Sequence, residues 1–195
     1  MKVAYLYVDF GHEVGAEQRK LAAISIASVR KHMPGVEIVH LADLKTKTLD
    51  GVDSVLAMAW DGPLCVPTHN NRGDLQAQLH GDVLFLDTDT IITQDVSGVF
   101  DDKDFEVAVA QRPGDWEGDE FNQGVVFSRN EKFWKAVAEK ARERKIYDEA
   151  GFTDVVLNGG FRVKQLPVSY NFSIPPDTAV MHFKGQRKRV MLDLA

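Results

Sequence analysis

Apolar and polar residues fall in blocks along this chain, and the blocks read as strands and helices in turn. Residues 3–8, V-A-Y-L-Y-V, form a compact apolar run, as a strand buried on both faces does. From Ala16 to His32, good helix formers carry a broad apolar face that includes Leu21, Ile24 and Val29. Pro34-Gly35 stops that helix, and residues 36–41 resume as a strand. This order predicts a β-α-β opening, hence a parallel sheet with a right-handed crossover. Residues 52–58 predict a third strand. Residues 59–71 hold Gly62, Pro63, Pro67 and Asn70-Asn71, which is loop chemistry long enough to suggest a functional segment. A short helix is expected over 75–79, and V-L-F-L at 83–86 is a buried strand.

The second half is patterned less evenly. Residues 105–110 predict a strand, and 111–120 a polar, acidic loop with Pro113, Gly114 and Gly118. F-N-Q-G-V-V-F-S at 121–128 returns to apolar character. Asn130 has the chemistry of an N-cap for a helix reaching about residue 146. Residues 154–157 read as helical, and 163–166 and 179–183 as short strands. No repeat, low-complexity tract or linker interrupts the pattern, so residues 1–195 are expected to form one domain.

Composition narrows the function classes. With 44% hydrophobic and 27% charged residues, the chain is an ordinary globular protein. Its net charge of −6 argues against a nucleic-acid partner held by bulk electrostatics. An anionic ligand would then need a local source of positive charge. Cys65 is the only cysteine, so no internal disulfide or cysteine-rich zinc site forms, and an idle thiol is expected. The opening M-K-V-A-Y-L-Y-V-D reads as a strand rather than a signal peptide. No apolar run approaches the roughly 18 residues of a membrane span. A cytoplasmic protein without a transmembrane segment is the expectation.

Two short motifs carry chemistry. Asp87 and Asp89 follow the strand at 83–86 and stand at i and i+2, so in extended chain both side chains point the same way. Close like charges are costly unless a cation separates them, and hard oxygen donors suit Mg²⁺ or Mn²⁺. D-T-D also reads as a plain turn. A dehalogenase-type phosphatase motif with Asp87 as nucleophile uses nearly the same letters, but Ile91 lacks the hydroxyl of that motif and the motif lies mid-chain, and both departures count against it. The second stretch is H-F-K-G-Q-R-K at 182–188. In H-x-x-G-x-x-K, His182 offers a third metal donor, Gly185 a close backbone approach to a phosphate, and Lys188 a point charge for it. His182 has an ordinary structural reading too, as a hydrogen-bonded residue after a strand.

Taken in order, these segments resemble glycosyltransferase family eight, the glycogenin and lipopolysaccharide galactosyltransferase type. The resemblance rests on V-L-F-L-D-T-D-T, F-N-Q-G-V-V-F, V-V-L-N at 155–158, L-P-V-S-Y-N at 166–171 and H-F-K-G-Q-R-K, after an N-terminal nucleotide-binding β-α-β. It implies a glycosyltransferase-A fold: a Rossmann-like, mostly parallel sheet flanked by helices. The nucleotide half would span about 1–90 and the sugar and acceptor half about 91–195. It implies a metal-dependent transfer of a hexose from a nucleoside diphosphate sugar, usually a UDP-sugar, with retention of configuration. The acceptor would be a glycan, a lipid-linked sugar or a protein.

By the same resemblance, Asp87, Asp89 and His182 ligate Mn²⁺ or Mg²⁺, with Asp87 also near the ribose. Val8, Asp9 and Arg72 contact the donor, and Gly185 and Lys188 hold the diphosphate. Asn122 and Asp154 are the candidate catalytic residues on the sugar side. Val8 and Asp9 also read as a strand end and turn, Arg72 as a solvated loop charge, and Gly124 as a residue permitting a bend or close approach. The chain departs from the family pattern at T-D-V-V-L-N, where Thr153 stands in place of the usual Asp and Asp154 lies one position later. Arg189-Val190 replaces the usual Pro-Trp after Lys188. A binding module without transfer activity is the alternative that the altered helix motif supports.

Overall fold

The computed structural model describes residues 1–9, 13–59, 67–112, 120–144, 148–171 and 178–194. In chain order its elements are β1 (Lys2–Leu6), α1 (Glu13–His32), β2 (Glu37–Asp43), β3 (Ser54–Met58), α2 (Pro67–Gln76), β4 (Val83–Leu86) and β5 (Thr90–Ile92). Then follow β6 (Val107–Gln111), β7 (Phe121–Ser128), α3 (Glu131–Arg144), α4 (Asp148–Asn158), β8 (Val163–Leu166), β9 (Val180–His182) and α5 (Lys188–Asp193). Seven strands make one sheet in the order β3-β2-β1-β4-β7-β6-β8. Every neighbouring pair is parallel except those made by β7, which runs against both β4 and β6. β5 and β9 form a separate antiparallel ribbon. The expected α/β architecture, a mostly parallel central sheet flanked by helices, is therefore present.

Alternation along the strands builds two cores. Val3, Tyr5, Leu84 and Leu86 face one way, onto Ala22, Ile26 and Val29 of α1. Ala4, Val83 and Phe85 face the other way, onto Leu75 of α2, Phe133 and Trp134 of α3, and Phe152 of α4. β4 is buried on both faces, which is why it reads as a continuous apolar run. Burying one such large side chain stabilises the fold by about 1.5–3 kcal/mol. Asn130 caps α3 as expected, its Oδ1 accepting from Lys132 N at 2.8 Å. Gly35 takes φ 83° where the chain turns from α1 into β2, a conformation that favours glycine.

Several elements differ from the pattern. α2 begins at Pro67, inside the segment expected to be loop to residue 71. Proline at the first helical position costs no backbone bond, so loop-like composition there is compatible with a helix start. α4 begins at Asp148, six residues before the expected helix. β5 and α5 were not expected at all, because three residues straight after D-T-D, and six residues at 188–193, are too few to show a period. Cys65, residues 113–119 of the acidic loop, and the expected last turn of α3 lie outside the described residues. Among the described residues no helix is long and apolar enough to cross a membrane.

The chain reverses its direction of travel across the sheet after β3. β1 sits between β2 on one side and β4 on the other. In open α/β sheets, ligands bind at the carboxyl ends of the strands where the order switches. Here that crevice lies at the ends of β1 and β4. Its β1 side is laced to β2: Asp9 N donates to Thr46 Oγ1 at 2.8 Å, and Thr46 N to Asp43 Oδ1 at 2.7 Å.

His40 of β2 fixes the same strand end. It is fully buried. Leu49 N donates to its Nδ1 at 3.3 Å, so the proton sits on Nε2, which donates to the Tyr7 carbonyl at 2.9 Å. Burial, helped by the Arg19 charge, outweighs the Tyr7 carbonyl and Asp43 and holds the ring's pKa below the ordinary histidine value. The unfolded chain therefore binds the extra proton more readily, and stability falls as pH drops through about 6.5. Melting of the parent protein between pH 7.5 and 5 should show this loss. It should be shallower in His40→Gln, by up to about 1.4 kcal/mol per pH unit, the one-proton limit. Parallel pH profiles would remove His40 as the cause.

Candidate functional site

β4 ends at Leu86, and the chain leaves the sheet through Asp87-Thr88-Asp89. The turn is held from behind by a line of buried hydroxyls. Thr90 Oγ1 donates to the Asp87 carbonyl at 2.8 Å. Ser25 Oγ lies 3.1 Å from Thr90 Oγ1, and Tyr5 hydroxyl 2.8 Å from Ser25 Oγ. Because Thr90 spends its proton on Asp87, Ser25 donates to Thr90 and Tyr5 to Ser25. β5 then pairs with β9 in a register that sets Thr90 opposite His182. Phe183 N donates to the Asp89 carbonyl at 2.8 Å, closing the ribbon on the D-T-D turn.

This pairing brings two carboxylates and one imidazole to a point. His182 Nε2 lies 3.2 Å from Asp89 Oδ1 and 3.6 Å from Asp87 Oδ2. One donor atom from each of the three residues lies within 4.8 Å of the others. Asp89 and His182 are buried, and the Asp87 side chain is 32% exposed, so the cluster opens on one side. Arg72 Nη2 meets Asp87 Oδ1 at 3.0 Å, and Lys188 Nζ meets Asp89 Oδ2 at 3.0 Å. Burial pushes the Asp89 carboxyl up, but the hydrogen bonds and charges of His182 and Lys188 prevail and hold it below the usual carboxylate range. Asp89 is therefore ionised at neutral pH.

The donor set fits a divalent cation. Donors bound side by side at about 2.1 Å from an ion stand about 3 Å apart, and the His182–Asp89 separation of 3.2 Å is of that order. Carboxylate oxygens with one imidazole suit Mg²⁺ and the slightly softer Mn²⁺ alike.

No family model and no curated protein sequence matches the chain. Solved structures do. The galactosyltransferase LgtC, in complex with donor and acceptor sugar analogues, aligns at TM-score 0.65 and 16% identity over 100% of this chain and 96% of its own. A glycosyltransferase involved in glycosylation of the major capsid of PBCV-1 aligns at TM-score 0.67 and 14% identity, over 98% and 99%. Mouse xyloside xylosyltransferase 1 aligns at TM-score 0.61 and 9% identity, over 93% and 96%. The chain has the glycosyltransferase-A fold. The resemblance read from the sequence holds at the level of that fold.

On this glycosyltransferase-A frame the expected residues fall into two groups. Asp87, Asp89, His182, Arg72 and Lys188 are joined directly. Asn122 is linked to them through Asn171: Asn171 Nδ2 lies 3.3 Å from the Asn122 carbonyl, and Asn171 Oδ1 lies 2.8 Å from His182 Nδ1. Val8 is buried and Asp9 exposed where the chain leaves β1, beside β4 in the sheet. Gly185 adopts φ 58°, with open space where a side chain would stand. A left-handed backbone there explains the glycine without any ligand.

Asp154 belongs to neither group by any contact found between described residues. It points along α4 toward α3, with Lys140 Nζ at 3.6 Å and Asn158 Nδ2 at 2.9 Å. It lines a surface cavity of about 860 Å³ between these helices, to which none of Asp87, Asp89 and His182 contributes. The preceding residue, Thr153, is the one that faces β7: it is buried, and its Oγ1 accepts from Phe121 N at 3.4 Å.

Two residues given no part in the candidate metal site are close to it. Asn171 lay within L-P-V-S-Y-N, a motif that was legible while its contact with His182 was not. Gly124 permits a close approach, as its motif suggested, and the group approached is the imidazole. A β-carbon at Gly124 would overlap the His182 ring and crowd Asn122 Oδ1, although its φ is not in the left-handed region. Its carbonyl meanwhile accepts from Asp87 N at 2.8 Å. Gly124→Ala should therefore displace the ring and destabilise the protein by about 1–3 kcal/mol in denaturant unfolding. A variant as stable as the parent would contradict this close packing.

Proposed function

We propose that this protein is a metal-dependent glycosyltransferase that moves a hexose from a UDP-sugar to an acceptor hydroxyl, with retention of configuration. The observation that carries the proposal is the convergence of Asp87, Asp89 and His182 at the carboxyl end of β4 on a glycosyltransferase-A fold. LgtC, one of the similar structures, was solved with donor and acceptor sugar analogues. That supports a nucleotide sugar as the donor class here.

In this reading Asp87, Asp89 and His182 hold the ion, Mn²⁺ or Mg²⁺. When bound, it supplies Lewis-acid charge to the diphosphate leaving group. Lys188, 3.0 Å from Asp89, stands beside the ion's ligands and adds a fixed positive charge for the diphosphate. Arg72 neutralises Asp87 from the other side and also donates to the Gln123 carbonyl at 3.1 Å, which fixes the guanidinium against β7. Val8 and Asp9, across the crevice, take the nucleoside. Asn122 bounds the sugar side. Asp87 is held from two sides, by Arg72 and His182, which suits a metal ligand better than the free nucleophile a phosphatase requires.

The geometry of α4 favours a second reading, a nucleotide-sugar-binding module that does not transfer. Thr153 faces β7 where the family pattern has Asp, and Asp154 is engaged by Lys140. One assay separates the two. Calorimetry should show UDP binding at least tenfold tighter with Mn²⁺ than without, and UDP-sugar should then be hydrolysed slowly in the absence of acceptor. Tight binding with no turnover toward water or any acceptor supports the module. UDP affinity indifferent to metal overturns both.

Lys188→Ala tests the charge assignment. It should weaken UDP at least tenfold while leaving uridine nearly unchanged, because an ammonium acts on phosphate. Equal losses for the two ligands would remove Lys188 from the diphosphate.

A further inference from the structure

His182 has two ring nitrogens, and its use as a metal ligand through Nε2 requires the other one to carry the proton. Nδ1 points away from the carboxylates, toward Asn171 Oδ1 at 2.8 Å. Asn171 is oriented in turn. Its Nδ2 lies 3.3 Å from the Asn122 carbonyl and 3.4 Å from Asn122 Oδ1, so its amide presents oxygen, not nitrogen, to the imidazole. Asn122 is itself pinned, because its Oδ1 accepts from Gly124 N at 2.9 Å. The oxygen of Asn171 can only accept, so Nδ1 donates to it, and Nε2 is the nitrogen turned to Asp87 and Asp89, able to exchange its proton for an ion.

We propose that Asn171 is the positioning residue of the metal site: it selects the Nδ1–H tautomer of His182 and aims Nε2 at the ion. This rests on the metal-dependent reading above. His182 is buried and packed against Gly124, so few other groups can take over the task. The relay Gly124–Asn122–Asn171–His182 also ties the metal ligand to β7. A carboxamide at residue 171 does what a carboxylate or backbone carbonyl does behind other metal-bound histidines. It leaves the site less negative than a carboxylate would, beside two aspartates already present.

The test uses two variants and two readouts. Asn171→Leu keeps the size and removes the acceptor, whereas Asn171→Asp keeps an acceptor for Nδ1–H. Nitrogen-15 spectra of histidine-labelled protein in alkaline buffer report which ring nitrogen carries the proton, without any metal or substrate. Asp89 competes for the proton at Nε2, so the parent and Asn171→Asp should show a larger Nδ1–H fraction than Asn171→Leu, which should shift toward Nε2–H. Calorimetry with Mn²⁺ alone should find affinity lowered about 10- to 100-fold in Asn171→Leu, the usual effect of removing such a partner, and within about threefold of the parent in Asn171→Asp. If Asn171→Leu does not fold, Asn171→Ala carries the same expectations with no added bulk. An unchanged tautomer with Mn²⁺ affinity within threefold in the acceptor-free variant overturns the positioning role and leaves the metal site standing. Absence of Mn²⁺ binding by the parent overturns both.

Discussion

Two carboxylates at the end of a strand buried on both faces repel each other, and that repulsion is costly unless positive charge is within reach. The local structure around Asp87 and Asp89 answers that requirement. The positive charge comes from Arg72 of α2 and Lys188 of α5, and His182 of β9 sets its imidazole beside both carboxylates. Three separate parts of the chain meet at one turn because the turn needs them. The same arrangement shows how a protein acidic overall concentrates positive charge at one place. Net charge is a property of the whole surface, whereas the cations that matter are held within a few ångströms of the crevice.

β7 makes the convergence compact. It runs opposite to its neighbours, so the residues near its start, Asn122 to Gly124, lie where β4 ends. Gly124 then serves two partners at once, its carbonyl on Asp87 and its bare α-carbon under His182. A parallel strand in that place would have delivered its last residues rather than its first. The two-stranded ribbon of β5 and β9 supplies the remaining constraint by fixing Thr90 against His182.

Much of this was legible in the residues. The greasy run before D-T-D identified a central strand, since only burial on both faces selects four apolar residues without alternation. His182, Gly185 and Lys188 were legible as a spaced motif. What could not be read was geometry that depends on distant pairing. β5 is too short to carry a period, and the reversed direction of β7 leaves no mark in its composition. Asn171 looked like any residue at the end of a turn motif, because its value lies in a hydrogen bond to a ring eleven positions away. At T-D-V-V-L-N the letters suggested that Asp154 substitutes for a neighbour's carboxylate, yet one position on a helix rotates a side chain by about 100°. Thr153 faces the sheet, and Asp154 faces Lys140.

The distance along the chain between the aspartates and His182 has a consequence for how the protein is made. β1 to β4 leave the ribosome first, while β9 and α5 follow almost a hundred residues after Asp87. At roughly 5–20 residues per second the interval lasts on the order of 5–20 s. During it the nascent chain has the residues of β1 and β4 and the two carboxylates, with Arg72 but neither His182 nor Lys188. The half-made protein therefore lacks the full donor set, and the three side chains meet only when the last strand docks.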